Sequence, residues 1–153
     1  MKTRALVLVA MLLGVATAAG AATPAAPVRV EGAWIRWLPA GLPSAGYATL
    51  VNESDALVRL TGAASDTYAH VSLHRSRLAD NDSTMVPVDH LDIPAHGSVK
   101  LAPGGYHLML MHAKHAIKPG DKVPITLQFG GGATLQVDFS VLPANAAGPS
   151  ASD

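Results

Sequence analysis

The chain has 153 residues, 11 Lys and Arg against 11 Asp and Glu, a formal net charge of zero and no cysteine. That length allows one domain burying about two-thirds of its unfolded surface, and a hydrophobic content of 49% excludes intrinsic disorder except at the ends. The lack of cysteine excludes a disulfide scaffold, a thiolate metal site, a thioredoxin-type redox motif and a catalytic thiol, while a neutral balance without a Lys/Arg cluster argues against nucleic acid or an anionic membrane as partner.

In chain order, Lys2 and Arg4 precede an apolar run from Ala5 to Val15, followed by the small residues Ala16 to Ala22. A positive start, a short apolar stretch and A-x-A spacing predict a secretory signal peptide over residues 1–22. The run is shorter than the about 20 residues that span a bilayer, so no membrane insertion is expected. No cysteine follows the cleavage region, which also argues against a bacterial lipid anchor. Removing Lys2 and Arg4 leaves 9 basic against 11 acidic residues, a slightly acidic exported protein.

Residues 23–27 read as an Ala/Pro linker and residues 143–153 as a disordered small-residue tail. Between them, strands are predicted at Val28–Trp37, Ala45–Asn52, Leu57–Ala64, Ala69–Arg75, Thr84–Val88, Ser98–Leu101, Tyr106–His112, Val123–Phe129 and Ala133–Val141. Turn residues separate them, among them Pro43-Ser44, Asn52-Glu53-Ser54-Asp55, Asp80-Asn81-Asp82, Pro103-Gly104-Gly105, Pro119-Gly120-Asp121 and Gly130-Gly131-Gly132. No helical periodicity persists outside the leader, and βαβ alternation is absent. The expectation is one all-β domain over 28–142, an antiparallel sandwich or small barrel.

Strand alternation isolates the unusual residues. In Tyr106–His112, Tyr106, Leu108 and Leu110 form a core face, so His107, Met109 and Met111 share the other. In Ala69–Arg75, Val71 and Leu73 point inward while His70, Ser72 and His74 point outward. Met85 stands just after the polar turn at Asp80–Ser83. An outer face usually carries Thr, Lys or Glu; here two strands present imidazoles and thioethers. A lone strand Met often only fills a core, but one sharing a face with His107 reads as a soft-metal donor. Thioether sulfur favours Cu(I), neutral imidazole suits copper, and zinc gains little from Met.

The spacing His74, ten residues, Met85, twenty-one residues, His107, one residue, Met109 reads H-x10-M-x21-H-x-M. It resembles the signature of the PCu(A)C family of periplasmic copper chaperones, as do Pro103–Met111, Ala33-Trp34-Ile35-Arg36 and Lys118-Pro119-Gly120-Asp121. The resemblance covers nearly the whole exported domain. It implies a single-domain cupredoxin-like Greek-key β-sandwich in the periplasm, binding Cu(I) near its surface through His74, Met85, His107 and Met109. It also implies delivery of copper towards the CuA site of cytochrome c oxidase, with oxidase subunit II or a Sco-type protein as acceptor or partner. A monomer is expected.

The segment Arg75–Thr84, read as a loop, lacks the extra Met or His that family members often carry there, and residues 143–153 lack any His or Met for a C-terminal second site. Met111 reads as a shield or spare ligand, His112 and His115 as exposed loop residues, and Met85 as the most mobile ligand because a turn precedes it. Catalysis is not expected. A blue-copper centre needs a thiolate, Leu42-Pro43-Ser44-Ala45-Gly46 misses the first glycine of a nucleophile elbow, and Gly130–Gly132 lacks the Lys-Ser/Thr of a phosphate loop. The competing functions are a periplasmic copper buffer for tolerance, without an oxidase acceptor, and an adhesion domain that binds no copper.

Overall fold

The computed structural model describes residues 25–149, except 40 and 80–81. The signal peptide expected over 1–22 and the last four residues lie outside that range. Ten strands carry the fold: β1 (Val28–Arg36), β2 (Ser44–Asn52), β3 (Val58–Ala64), β4 (Tyr68–Ala79), β5 (Asp82–Pro87), β6 (Leu91–Ile93), β7 (Ser98–Leu101), β8 (Tyr106–Ala113), β9 (Lys122–Phe129) and β10 (Thr134–Leu142). Their order is β5-β4-β8-β7-β2-β1-β10-β9-β3-β6, with β2 also pairing β8. Among the described residues, no helix is long and apolar enough to cross a membrane.

The two ends of this sheet fold over one core. Ile35, Leu50, Leu108 and Leu110 from one half meet Leu60, Ile93, Ile125, Leu127, Phe139 and Val141 from the other, all essentially inaccessible. The expected all-β sandwich is observed, and the Gly130–Gly132 turn joins β9 to β10 as an antiparallel hairpin. Two pairings depart from antiparallel order: β1 and β10, the first and last strands, run parallel through Trp34–Ser140, Ile35–Val141 and Arg36–Leu142, and β7 touches β8 in parallel at Leu101–Tyr106. Strand β6 is absent from the sequence-predicted set because three residues, Leu91-Asp92-Ile93, are too few for alternation to register. It extends the sheet beyond β3 and buries Leu91 and Ile93.

Two glycines shape the half that carries the candidate site. A bulge falls between Glu31 and Trp34, where three steps on β1 match two on β2 and Gly32 takes φ +55°. Val30 faces the core before it and Ile35 after it, so the bulge reverses the alternation and turns Trp34 onto the outer face. On β2, a Cβ at Gly46 would lie 3.3 Å from Leu108 Cβ and 3.6 Å from Phe139 Cε1. The missing side chain lets the two halves close there.

The flanking segments pack on this body. Ala25 bridges Thr134, Ala26 is buried, and the Pro27 carbonyl accepts from the Glu53 amide. Past β10, the Ala146 carbonyl accepts a hydrogen bond from Arg36 Nη2 at 3.2 Å.

Candidate metal centre

The β4–β8 ladder sets His74 opposite His107, Ser72 opposite Met109 and His70 opposite Met111. Met85, on β5, lies opposite Ser76, two pairs along from His74 and therefore on the same face. The four motif residues thus occupy one face of three adjacent strands. Directly opposed Cβ atoms lie about 4.5–5.5 Å apart and diagonal neighbours about 7–8 Å, within reach of long flexible thioethers. The His74 and His107 rings stack with centres 6.0 Å apart and planes 22° from parallel.

The hydrogen bonds of the two imidazoles leave matching nitrogens free. His107 Nδ1 lies 3.2 Å from the Gly105 carbonyl; a carbonyl only accepts, so Nδ1 carries the proton and Nε2 keeps its lone pair. His107 Nε2 is buried and has no hydrogen-bond partner among the described residues. Burial is the main reason this imidazole holds a proton less readily than an ordinary histidine; His74 adds to the effect and the Gly105 carbonyl opposes it. On His74, Nδ1 contacts Ser72 Oγ at 3.3 Å, leaving its Nε2 available as well. A neutral imidazole with one nitrogen fixed and the other free is the form that ligates a soft metal.

The sequence reading expected these residues near the surface, but His107 is only 3% exposed. The correction comes from a second layer outside the main core. Tyr47 lies against His107, with ring centres 6.5 Å apart, and Trp34 packs on Tyr47 at 4.8 Å. The Arg36 guanidinium covers both rings, 5.5 Å from each centroid. Burial raises the Tyr47 phenol above its usual value, with Arg36 pulling the other way. Tyr47 and Arg36 escaped the sequence reading as parts of the site. The bulge at Gly32 was the available signal, because it sets Trp34 beside Tyr47.

Met85 sits on edge strand β5 and is 54% exposed. The segment Arg75–Thr84 is not a loop as expected: β4 runs to Ala79 and β5 begins at Asp82, so it is mostly a long hairpin. Alternating residues with no apolar face disguised these strands. Met109 and Met111 are half-buried. His112 lies in β8 and takes φ +55°, which brings its ring edge-on to His70 with centres 5.7 Å apart. His115 is exposed beyond β8, at a recess it shares with His112. His96, exposed on the loop before β7, holds Asp55 Oδ1 through Nε2 at 2.7 Å. Among the described residues, no three His, Asp or Glu side chains gather as a metal-holding group; the further soft donors on this face are the thioethers of Met85, Met109 and Met111.

The model of the family described as "Putative lipoprotein LpqE-like" matches residues 28–141. The chain belongs to the LpqE-like family. It is similar to the protein named "Putative lipoprotein Lxx21020" of Leifsonia xyli subsp. xyli (strain CTCB07), 33% identical over 147 residues that cover 90% of this chain and 88% of the relative. Among solved structures it is similar to apo-DR1885 from Deinococcus radiodurans, with 35% identity, coverage of 97% and 99% and a TM-score of 0.60. It is also similar to the CuI form of that protein, with 33% identity, coverage of 85% of each chain and a TM-score of 0.58. The apo PmoF2 PCuAC domain shares the fold with a TM-score of 0.67, 24% identity and coverage of 82% of this chain and 98% of that domain. The resemblance to the PCu(A)C family is borne out, and with it the cupredoxin-like β-sandwich. In this LpqE-like chain the face that carries H-x10-M-x21-H-x-M is the one built by β5, β4 and β8.

Proposed function

We propose that this LpqE-like protein is an exported Cu(I) metallochaperone, with His74, Met85, His107 and Met109 as the ligands of its cargo. The observation that carries the reading is the free His107 Nε2. It is a buried lone pair with no partner among the described residues, beside a second imidazole and two thioethers on the same face. An orphaned buried acceptor is costly unless something binds it, and these soft neutral donors fit Cu(I). The similarity to CuI-DR1885, whose name states that it holds that ion, supports the same reading.

Transfer follows from the unequal burial of the donors. His107 anchors the ion from beneath Tyr47, while Met85 swings on an exposed edge and leaves first. An acceptor's donor then takes its place before the imidazoles let go. Delivery towards the CuA site of cytochrome c oxidase, through subunit II or a Sco-type protein in the periplasm, is the destination the family resemblance supports.

An anaerobic Cu(I) titration against a chromophoric chelator, with wild type beside His107→Ala and Met109→Ala, tests the site. A tight equivalent that collapses in both variants is expected. Equal copper retention by wild type and variants would overturn the reading. Delivery is tested by mixing loaded protein with an apo CuA domain and following the appearance of the binuclear centre; a protein that holds copper yet fills no CuA domain would be a buffer.

A further inference from the structure

We propose a second, weaker Cu(I) site at the far end of the same ladder, formed by His70, Met111 and His112. The reading of the first site supplies the choice of metal, but the geometry is independent of it. His70 and Met111 are direct cross-strand partners on the outer face, and the edge-on ring of His112 lies 5.7 Å from that of His70. An imidazole nitrogen binds a metal at about 2.0–2.1 Å, which places two rings sharing one ion about 5–6 Å centre to centre. The pair already has that separation.

The backbone explains how His112 gets there. Strict alternation would aim it inward behind Leu108 and Leu110. A positive φ of 55° breaks the alternation at the last turn of β8 and brings the ring to His70. Such a conformation is uncommon in a residue other than glycine, and its cost persists only where the surroundings hold it or a function uses it. His70 and His112 are exposed and Met111 is half-buried, so the three side chains stand where an ion enters freely from solvent. Four residues of strand separate this group from His74 and His107, about 13 Å at the usual rise. Met109 lies midway, two pairs from each end. The ladder therefore offers Cu(I) an outer landing place with two nitrogens and one sulfur, then a thioether, then the buried imidazole.

Chelator competition on the purified protein tests this, with the wild type beside His70→Ala, Met111→Leu, His112→Asn and the double variant His107→Ala/Met109→Ala. The wild type should take a second, weaker equivalent. Each of the first three variants should weaken that equivalent by at least about tenfold while leaving the tight one unchanged. Asparagine tolerates the left-handed backbone, so His112→Asn removes a donor without disturbing β8 should His70→Ala fold poorly. The double variant should lose the tight equivalent and keep the weaker one. A single equivalent that disappears with His107 and Met109 and ignores His70, Met111 and His112 would overturn the second site while leaving the first intact. A single equivalent, as tight in the double variant as in the wild type but lost with His70→Ala, would sink the first reading and uphold this one. No copper in any protein would sink both.

Discussion

Tyr47 faces His107 across two strands, ring centres 6.5 Å apart, although both belong to the outer face of their half of the sheet. Burial of a histidine on that face has a consequence for acid stability. Burial first, then His74, lowers the native proton affinity of His107 from the ordinary 6.5, with the Gly105 carbonyl opposing. A histidine depressed in the native state binds fewer protons folded than unfolded. Its contribution to stability is complete above pH 6.5 and is lost as pH falls from there through the lowered native value. Urea unfolding of the metal-free protein at about pH 7.5, 6 and 5 should show stability declining across that window. His107→Gln should flatten the decline; an identical slope in both proteins would refute the assignment.

Met85 separates affinity from folding. It is 54% exposed on an edge strand, so Met85→Ala should change stability by no more than about 0.5 kcal/mol. The same change should speed Cu(I) loss to a chelator by at least about tenfold. Stopped-flow traces indistinguishable from wild type would remove Met85 from the ligand set.

Asn52 offers a control remote from the metal face. Only 1% exposed, it donates through Nδ2 to the carbonyls of Ala56, Ile93 and Pro94 at 2.8, 3.1 and 3.1 Å. Its Oδ1 accepts from the Ser54 amide and hydroxyl at 3.0 and 2.8 Å. One side chain thus ties the β2–β3 turn to the end of β6. Asn52→Leu orphans several buried groups and should cost about 2–3 kcal/mol in denaturant unfolding, with the copper equivalents unaltered. A loss under about 0.5 kcal/mol would show that water replaces these bonds.

Arg36 connects the aromatic layer to the C-terminal segment through Nη2 and the Ala146 carbonyl. Arg36→Ala should release residues 143–149 to faster amide exchange and raise the pKa of His107 towards 6.5 as water reaches Tyr47. NMR exchange and titration on one labelled sample read both effects. Movement of neither would disprove the coupling.

Most of the strand framework is legible because the core-facing stretches carry an apolar residue at every second position, as in Tyr106-His107-Leu108-Met109-Leu110. The same alternation exposed His107 and Met109 as misplaced on an outer face. What stayed hidden has physical causes. Three residues of β6 cannot display a period. The outer parts of β4 and β5 lack an apolar face, and their large apolar side chains Leu78 and Met85 are 83% and 54% exposed. The burial of His107 depends on Tyr47 and Trp34, whose approach needs a bulge at Gly32 that breaks the pattern being read. His112 escapes for a related reason, because a left-handed residue moves its side chain off the parity its position predicts.

The proposed donor set carries no formal charge: two thioethers and two neutral imidazoles. At that proposed site Cu(I) brings an uncompensated unit charge beside the buried His107, where charge is costly without a counter-ion. Soft covalency alone holds it against that penalty. On the proposed function, an acceptor with thiolates supplies the neutralising charge that this cysteine-free donor set lacks, and that difference gives transfer its direction without an energy source.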